Sequence, residues 1–194
     1  RVWGSGSFRE VVALRRGRDL GQGLLLALVV VLLVPLVHLA VGMGLGLVDW
    51  EPRPEAVGLV PPVVVLAVVQ GIFAMGEELG WRGFLHTHLR RLGGFWGTVL
   101  VTGLVWGLWH VPVAIDLALG GDLPPRMAVA YVLDIVPWVV VLGVLRERFD
   151  SVWPAVLAHG LINSWRVFAL QNLTTAEDSL NDVQYWSFHA VGWV

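Results

Sequence analysis

The sequence predicts an all-α protein, a polytopic transmembrane helix bundle of about five spans. Of 194 residues, 56% are hydrophobic and 14% charged, where soluble domains carry about 25% charge. The mean hydropathy is +0.71. Apolar runs of roughly 20 residues, the length that crosses a bilayer, recur along the chain, and the charges between them alternate in sign. This composition excludes a disordered chain, a nucleic-acid binder with a basic face and a water-soluble enzyme. All 13 basic residues are Arg, and Cys is absent. Disulfides, thiolate metal sites and thiol nucleophiles are therefore excluded as well.

Residues 1–19 form a basic N-terminal segment, predicted to be cytoplasmic. The first span covers residues 20–48, with His38 the one ionisable side chain in its interior. It is too long for the apolar region of a signal peptide, roughly 7–15 residues. The second span starts at residue 56 and is apolar to residue 75. The third covers 95–115, the fourth 127–145 and the fifth 152–170. Residues 56–171 make up the membrane core. Residues 172–194 form a polar loop and an aromatic tail too short to cross, either interfacial or the start of a further helix. The chain begins with Arg rather than Met, which predicts a fragment or processed form lacking one or more helices.

The connecting charges give an orientation. Arg9, Arg15, Arg16, Arg18, Arg90, Arg91, Arg146 and Arg148 fall on one side, and Arg53 and Arg126 on the other. Asp49, Glu51, Glu55, Asp116, Asp122, Glu177, Asp178 and Asp182 share the second side. The positive-inside rule makes the Arg-rich side cytoplasmic. The Gly content suits close helix packing in lipid.

Ionisable residues inside a span cost roughly 2.5–3.5 kcal/mol on insertion scales, so they are functional suspects. Three places concentrate them. At Glu77-Glu78-x-x-x-Arg82, Glu78 and Arg82 are four apart and pair on one helix face. Glu77 points about 100° away, toward another partner. A carboxylate in that setting suits a general base; the plainer reading is an ion pair at a helix end. At Trp106-x-x-x-His110, the His stands among apolar residues and on its own reads as a packing residue. At His159-x-x-x-Asn163, both side chains share a face. Together they could donate two hydrogen bonds to one oxyanion, or form an interhelical polar clamp. If helix continues from residue 77 to about 91, Glu77 and His110 lie at equal depth. Each is then roughly 24 Å from the Gly93-Gly94 turn. His159 falls at a somewhat different level.

These three motifs, in this order over about residues 60–170, resemble the CPBP family of intramembrane proteases. That family includes the Rce1-like CAAX prenyl endopeptidases and bacterial Abi proteins. The commoner Phe of the second motif appears here as Trp106. The resemblance implies peptide-bond hydrolysis in a cavity within the membrane. It implies Glu77 as general base with His110 as its partner, and His159 and Asn163 as the oxyanion hole. Glu78, Arg82 and Trp106 would be supporting residues. It implies a membrane-associated peptide or protein substrate and no nucleic acid. Prenylated C-terminal peptides, leader or pheromone peptides and membrane-anchored regulators are all candidates. Arg and Gly abundance without Lys suggests a GC-rich genome, hence a bacterial plasma membrane.

No cofactor is expected under a glutamate mechanism. Zinc held by Glu77, His110 and His159 is the alternative, although no His-Glu-x-x-His motif is present. Outside hydrolysis, the same buried acids and His could relay protons in a transporter, or persist in an inactive scaffold. A relay needs no oxyanion hole, and a transporter would show repeats and more spans. Elsewhere, Asp134 is expected to pair with an Arg, Trp or Tyr inside the bundle. Arg166 should snorkel or bind an acid. His38 reads as a packing residue, and His86 and His88 as interfacial.

Overall fold

A computed structural model describes residues 18–193, apart from the side chain of Arg18. Arg9, Arg15 and Arg16, which contribute to the orientation argument, lie outside the described residues. Among the described residues the chain is helical without strands. One isolated antiparallel bridge joins Trp50 to Thr174.

The helices are α1 (Arg18–Gly44), α2 (Ala56–Glu78), α3 (His86–Arg90), α4 (Phe95–Gly120), α5 (Pro125–Leu133), α6 (Ile135–Phe149), α7 (Trp153–Leu161), α8 (Val167–Asn172) and α9 (Asp182–Trp193). A π-helical segment, Leu79–Leu85, joins α2 to α3, and a second, Ile162–Arg166, joins α7 to α8. Helix therefore runs unbroken from residue 56 to 90. The expected continuation past Arg82 holds, with wider turns over seven residues.

Among the described residues, four helical stretches are long and apolar enough to cross a membrane: Asp19–Gly44, Ala56–Arg90, Phe95–Gly120 and Pro125–Phe149. The fifth expected span is the helical run from Trp153 to Asn172, interrupted by its π-helical segment. It is less apolar because it carries His159, Asn163 and Arg166. Its place in the bundle explains why that is tolerated. α7 packs against α1, α2 and α6, and most of its residues are buried, including Ala155, Ala158, His159 and Gly160. Protein, not lipid, surrounds it.

α2 is the opposite case. Its buried residues are Ala56, Ala74 and Glu78, while Val57, Val64, Val65, Val68, Ile72 and Phe73 are exposed. Such a surface is a liability in water and the natural contact with acyl chains. α2 meets α7 at Gly160, where a Cβ would stand 2.7 Å from the Gly71 Cα. Only glycine permits that approach.

The core has two parts. One packs Ala27, Val31, Trp106, Trp138, Leu142, Ala155 and Ala158 between α1, α4, α6 and α7. The other packs Leu39, Ala169, Leu170, Tyr185 and Phe188 between α1, α8 and α9. The aromatic tail is thus a docked helix. His38 Nε2 bonds to the Phe188 carbonyl oxygen at 2.8 Å, and its ring stacks on Phe188. His38 is a packing residue, as expected.

Candidate active site

The two adjacent acids diverge as helical spacing requires. Glu78 is buried and accepts a hydrogen bond from Arg82 Nη1 at 2.7 Å. The same oxygen, Oε1, lies 2.9 Å from His159 Nδ1. Arg82 is likewise fully buried. Two opposite charges at this distance neutralise each other where either alone would be costly. Glu77 is half-buried. Its Oε2 accepts the indole N–H of Trp106 at 2.9 Å, and among the described residues no bond engages its other oxygen.

Trp106 is the centre of the arrangement. It is buried, with the Arg82 guanidinium carbon 4.4 Å from its ring centroid. Edge-to-face contacts join it to His110 at 5.6 Å and to His159 at 5.1 Å between centroids. His110 Nδ1 bonds to the Trp106 carbonyl oxygen at 2.8 Å. That bond makes Nδ1 the protonated nitrogen and leaves Nε2 as a lone-pair acceptor. Glu77, Glu78, Arg82, Trp106, His110 and His159 therefore form one connected cluster across α2, α4 and α7. Glu77 reaches Trp106, one turn before His110, and makes no direct bond to His110. Asn163 sits half-buried in the second π-helical segment. Its amide takes no hydrogen bond from the described residues.

α7 crosses α2 with Gly160 against Gly71, about two turns from Glu78, and from that different level the His159 side chain reaches Glu78 Oε1. His86 and His88, expected to be interfacial, are buried within the protein, with His86 Nε2 3.0 Å from Glu147 Oε1 and His88 Nδ1 on the Phe84 carbonyl oxygen. α6 folds over His86, an approach no local spacing reveals.

Two neighbours went unread in the sequence. Tyr131 of α5 sets its ring edge-to-face with His110 at 5.6 Å; a Tyr within a span was the available signal. Arg146 of α6 supports the first π-helical segment. Its Nε donates to the Arg82 carbonyl oxygen at 3.1 Å and its Nη2 to Thr87 Oγ1 at 3.2 Å. A π turn mispairs backbone groups, and Arg146 satisfies one of them. Ser164 does the same at the second segment, donating to the Gly160 carbonyl oxygen at 2.9 Å.

A separate polar node surrounds Asp134 at the α5–α6 junction. Its carboxylate accepts from Arg166 at 2.5 Å, the Trp193 indole at 2.8 Å and His189 Nδ1 at 3.1 Å. Arg and Trp were among its expected partners; His189 was not. Arg166 takes the acid-binding role of its two readings. Outside the spans, burial raises the Glu177 carboxyl above its ordinary value, against the opposing pull of His189 nearby.

Among the described residues, no three His, Cys, Asp or Glu side chains gather into a set that could hold a metal ion. The zinc ligands considered from the sequence are each engaged at one atom: Glu77 Oε2 by the indole, His110 Nδ1 by a carbonyl and His159 Nδ1 by Glu78.

Residues 56–174 match a family model described as type II CAAX prenyl endopeptidase Rce1-like. No curated protein and no solved structure matches the chain.

Proposed function

The chain belongs to the Rce1-like family of type II CAAX prenyl endopeptidases, and from that membership we propose a specific activity and mechanism for it. It is an intramembrane endopeptidase that hydrolyses a peptide bond in a membrane-associated or lipidated peptide or protein. Its mechanism uses a Glu-activated water and no metal. The observation that supports this reading most is the state of Glu77. One carboxylate oxygen is held by the Trp106 indole at 2.9 Å, one helical turn before His110, while the other takes no hydrogen bond among the described residues.

In this reading a water lies between the free oxygen of Glu77 and Nε2 of His110. As its oxygen attacks the scissile carbonyl carbon, Glu77 takes a proton from it. The carbonyl π-bond electrons move onto oxygen. That oxyanion is received by the amide N–H of Asn163 and by Nε2–H of His159. In this reading His159 carries both ring protons from the outset and donates Nδ1–H to Glu78; the two carboxylates, Glu77 and Glu78, together balance Arg82 and this imidazolium. The C–N bond breaks as the proton on Glu77 passes to the leaving amine. Arg82 keeps Glu78 charged and in place. The Arg-rich side faces the cytoplasm of a bacterial plasma membrane in this reading.

The experiment compares protein termini in membranes from cells carrying the wild-type chain and Glu77→Gln. New termini present only with wild type identify the substrate and the bond cleaved. Identical termini, with a lipidated CAAX reporter uncut by wild type, refute the activity.

A further inference from the structure

The geometry points to Trp106 as the positioning residue of Glu77: its indole N–H fixes one carboxylate oxygen so that the other faces the water. This deepens the function proposed above and rests on Glu77 being the base. Three observations carry it. The indole is buried, so its N–H has no solvent to bond. It donates to Glu77 Oε2 at 2.9 Å. Arg82, anchored by Glu78, places its guanidinium carbon 4.4 Å from the ring centroid.

A cation over the ring withdraws electron density from the indole and strengthens its N–H as a donor. The Glu78–Arg82 pair thereby acts on Glu77 without touching it. The carboxylate, which on a free side chain turns about its last torsion, is held in one orientation. Residue 106 also fixes His110, but through its main-chain carbonyl, which any residue supplies. The indole ring also touches His110 edge-to-face, so a variant that keeps the bicyclic shape and loses only the N–H isolates the bond to Glu77.

One variant is Trp106→Phe, which keeps an aromatic ring under Arg82 and loses the N–H. Genetically encoded 3-benzothienylalanine at position 106 keeps the bicyclic shape and also lacks the N–H. If Phe underfills the site, this second variant carries the test. Each protein is reconstituted in liposomes and its infrared spectrum recorded with and without Glu77→Gln, so that the difference isolates the Glu77 carboxylate stretch. Loss of the N–H is expected to move that band. An unmoved band overturns the proposal.

In parallel, turnover is followed on a farnesylated CAAX peptide. Loss of a hydrogen bond to a charged group predicts kcat lower by about 10- to 100-fold, with KM within about twofold. An unchanged kcat, or a loss confined to KM, overturns the proposal. The two readings fail differently. If Glu77→Gln turns over at the wild-type rate, the base assignment falls. If Glu77→Gln is inert while both position-106 variants match wild type, only the positioning role falls.

Discussion

Replacing Gly160 with Ala tests the crossing that brings α7 into the candidate site. The added Cβ would stand 2.7 Å from the Gly71 Cα and 2.8 Å from the Gly71 nitrogen. Both are backbone atoms, so no side-chain rotation relieves the clash. Ordinary contact begins near 3.4 Å, which requires the helices to part by roughly 0.7 Å, an overpacking that costs about 1–3 kcal/mol. His159 precedes Gly160, and its Nδ1 lies 2.9 Å from Glu78 Oε1. The same displacement along that line stretches the bond to roughly 3.6 Å, beyond hydrogen-bond range. The structure also supplies a control: a Cβ at Gly71 meets nothing within 4 Å. Thermal unfolding in detergent micelles, with peptide turnover on the same preparations, measures both effects. Gly160→Ala should lose stability and turnover; Gly71→Ala should lose neither. A Gly160→Ala protein as stable and active as wild type refutes the reasoning, as does equal damage from both substitutions.

Other expectations concern charge. Arg82→Met removes one of the two partners of the buried Glu78 carboxylate and should cost about 3–5 kcal/mol, read as a lower melting temperature. Glu77→Gln, at a half-buried acid with one bond, should keep the wild-type melting temperature while turnover disappears; a parallel loss of stability would make Glu77 structural. Chelators should leave turnover of the metal-free mechanism unchanged, and a loss restored by zinc would overturn it. Glu177 bears on pH. Its carboxyl is raised above the ordinary 4.5 by burial, so its contribution to stability is complete below that value and fades as pH rises through the folded-state value. Glu177→Gln should therefore melt higher than wild type at pH 7 and show no such advantage below about pH 4.

Much of this was legible in the residues because it is local. The spans follow from apolar length, and the Glu78–Arg82 pair from a spacing of four. Divergence of Glu77 from Glu78 follows from the rotation between adjacent residues. Asp134 could be given its class of partner because a carboxylate in that setting requires donors. What stayed hidden depends on approach between distant segments. His159 on Glu78 and Trp106 on Glu77 are set by how α7 and α4 approach α2, and Tyr131 on His110 by how α5 packs on α4; a small crossing residue such as Gly160 does not announce its partner. His86 and His88 looked interfacial beside Arg90 and Arg91, yet Glu147 and Arg146 of α6 close over that end. The fifth helix shows the converse. Its polar residues make it less apolar than the other spans, yet one of them, His159, is what it brings to Glu78.

The π-helical segment Leu79–Leu85 divides one helix into two halves with different obligations. Above it, Glu77 and Glu78 face α4 and α7. Below it, His86 and Arg90 both engage Glu147 of α6. A uniform helix would present these two sets at angles fixed by about 100° per residue. The wide turn resets the phase, so a single rod serves two seams that do not line up. Removing one residue from this segment would not merely shorten the helix. It would rotate the acid pair against its own anchor, and every side chain in the segment could be retained while the two ends no longer faced their partners.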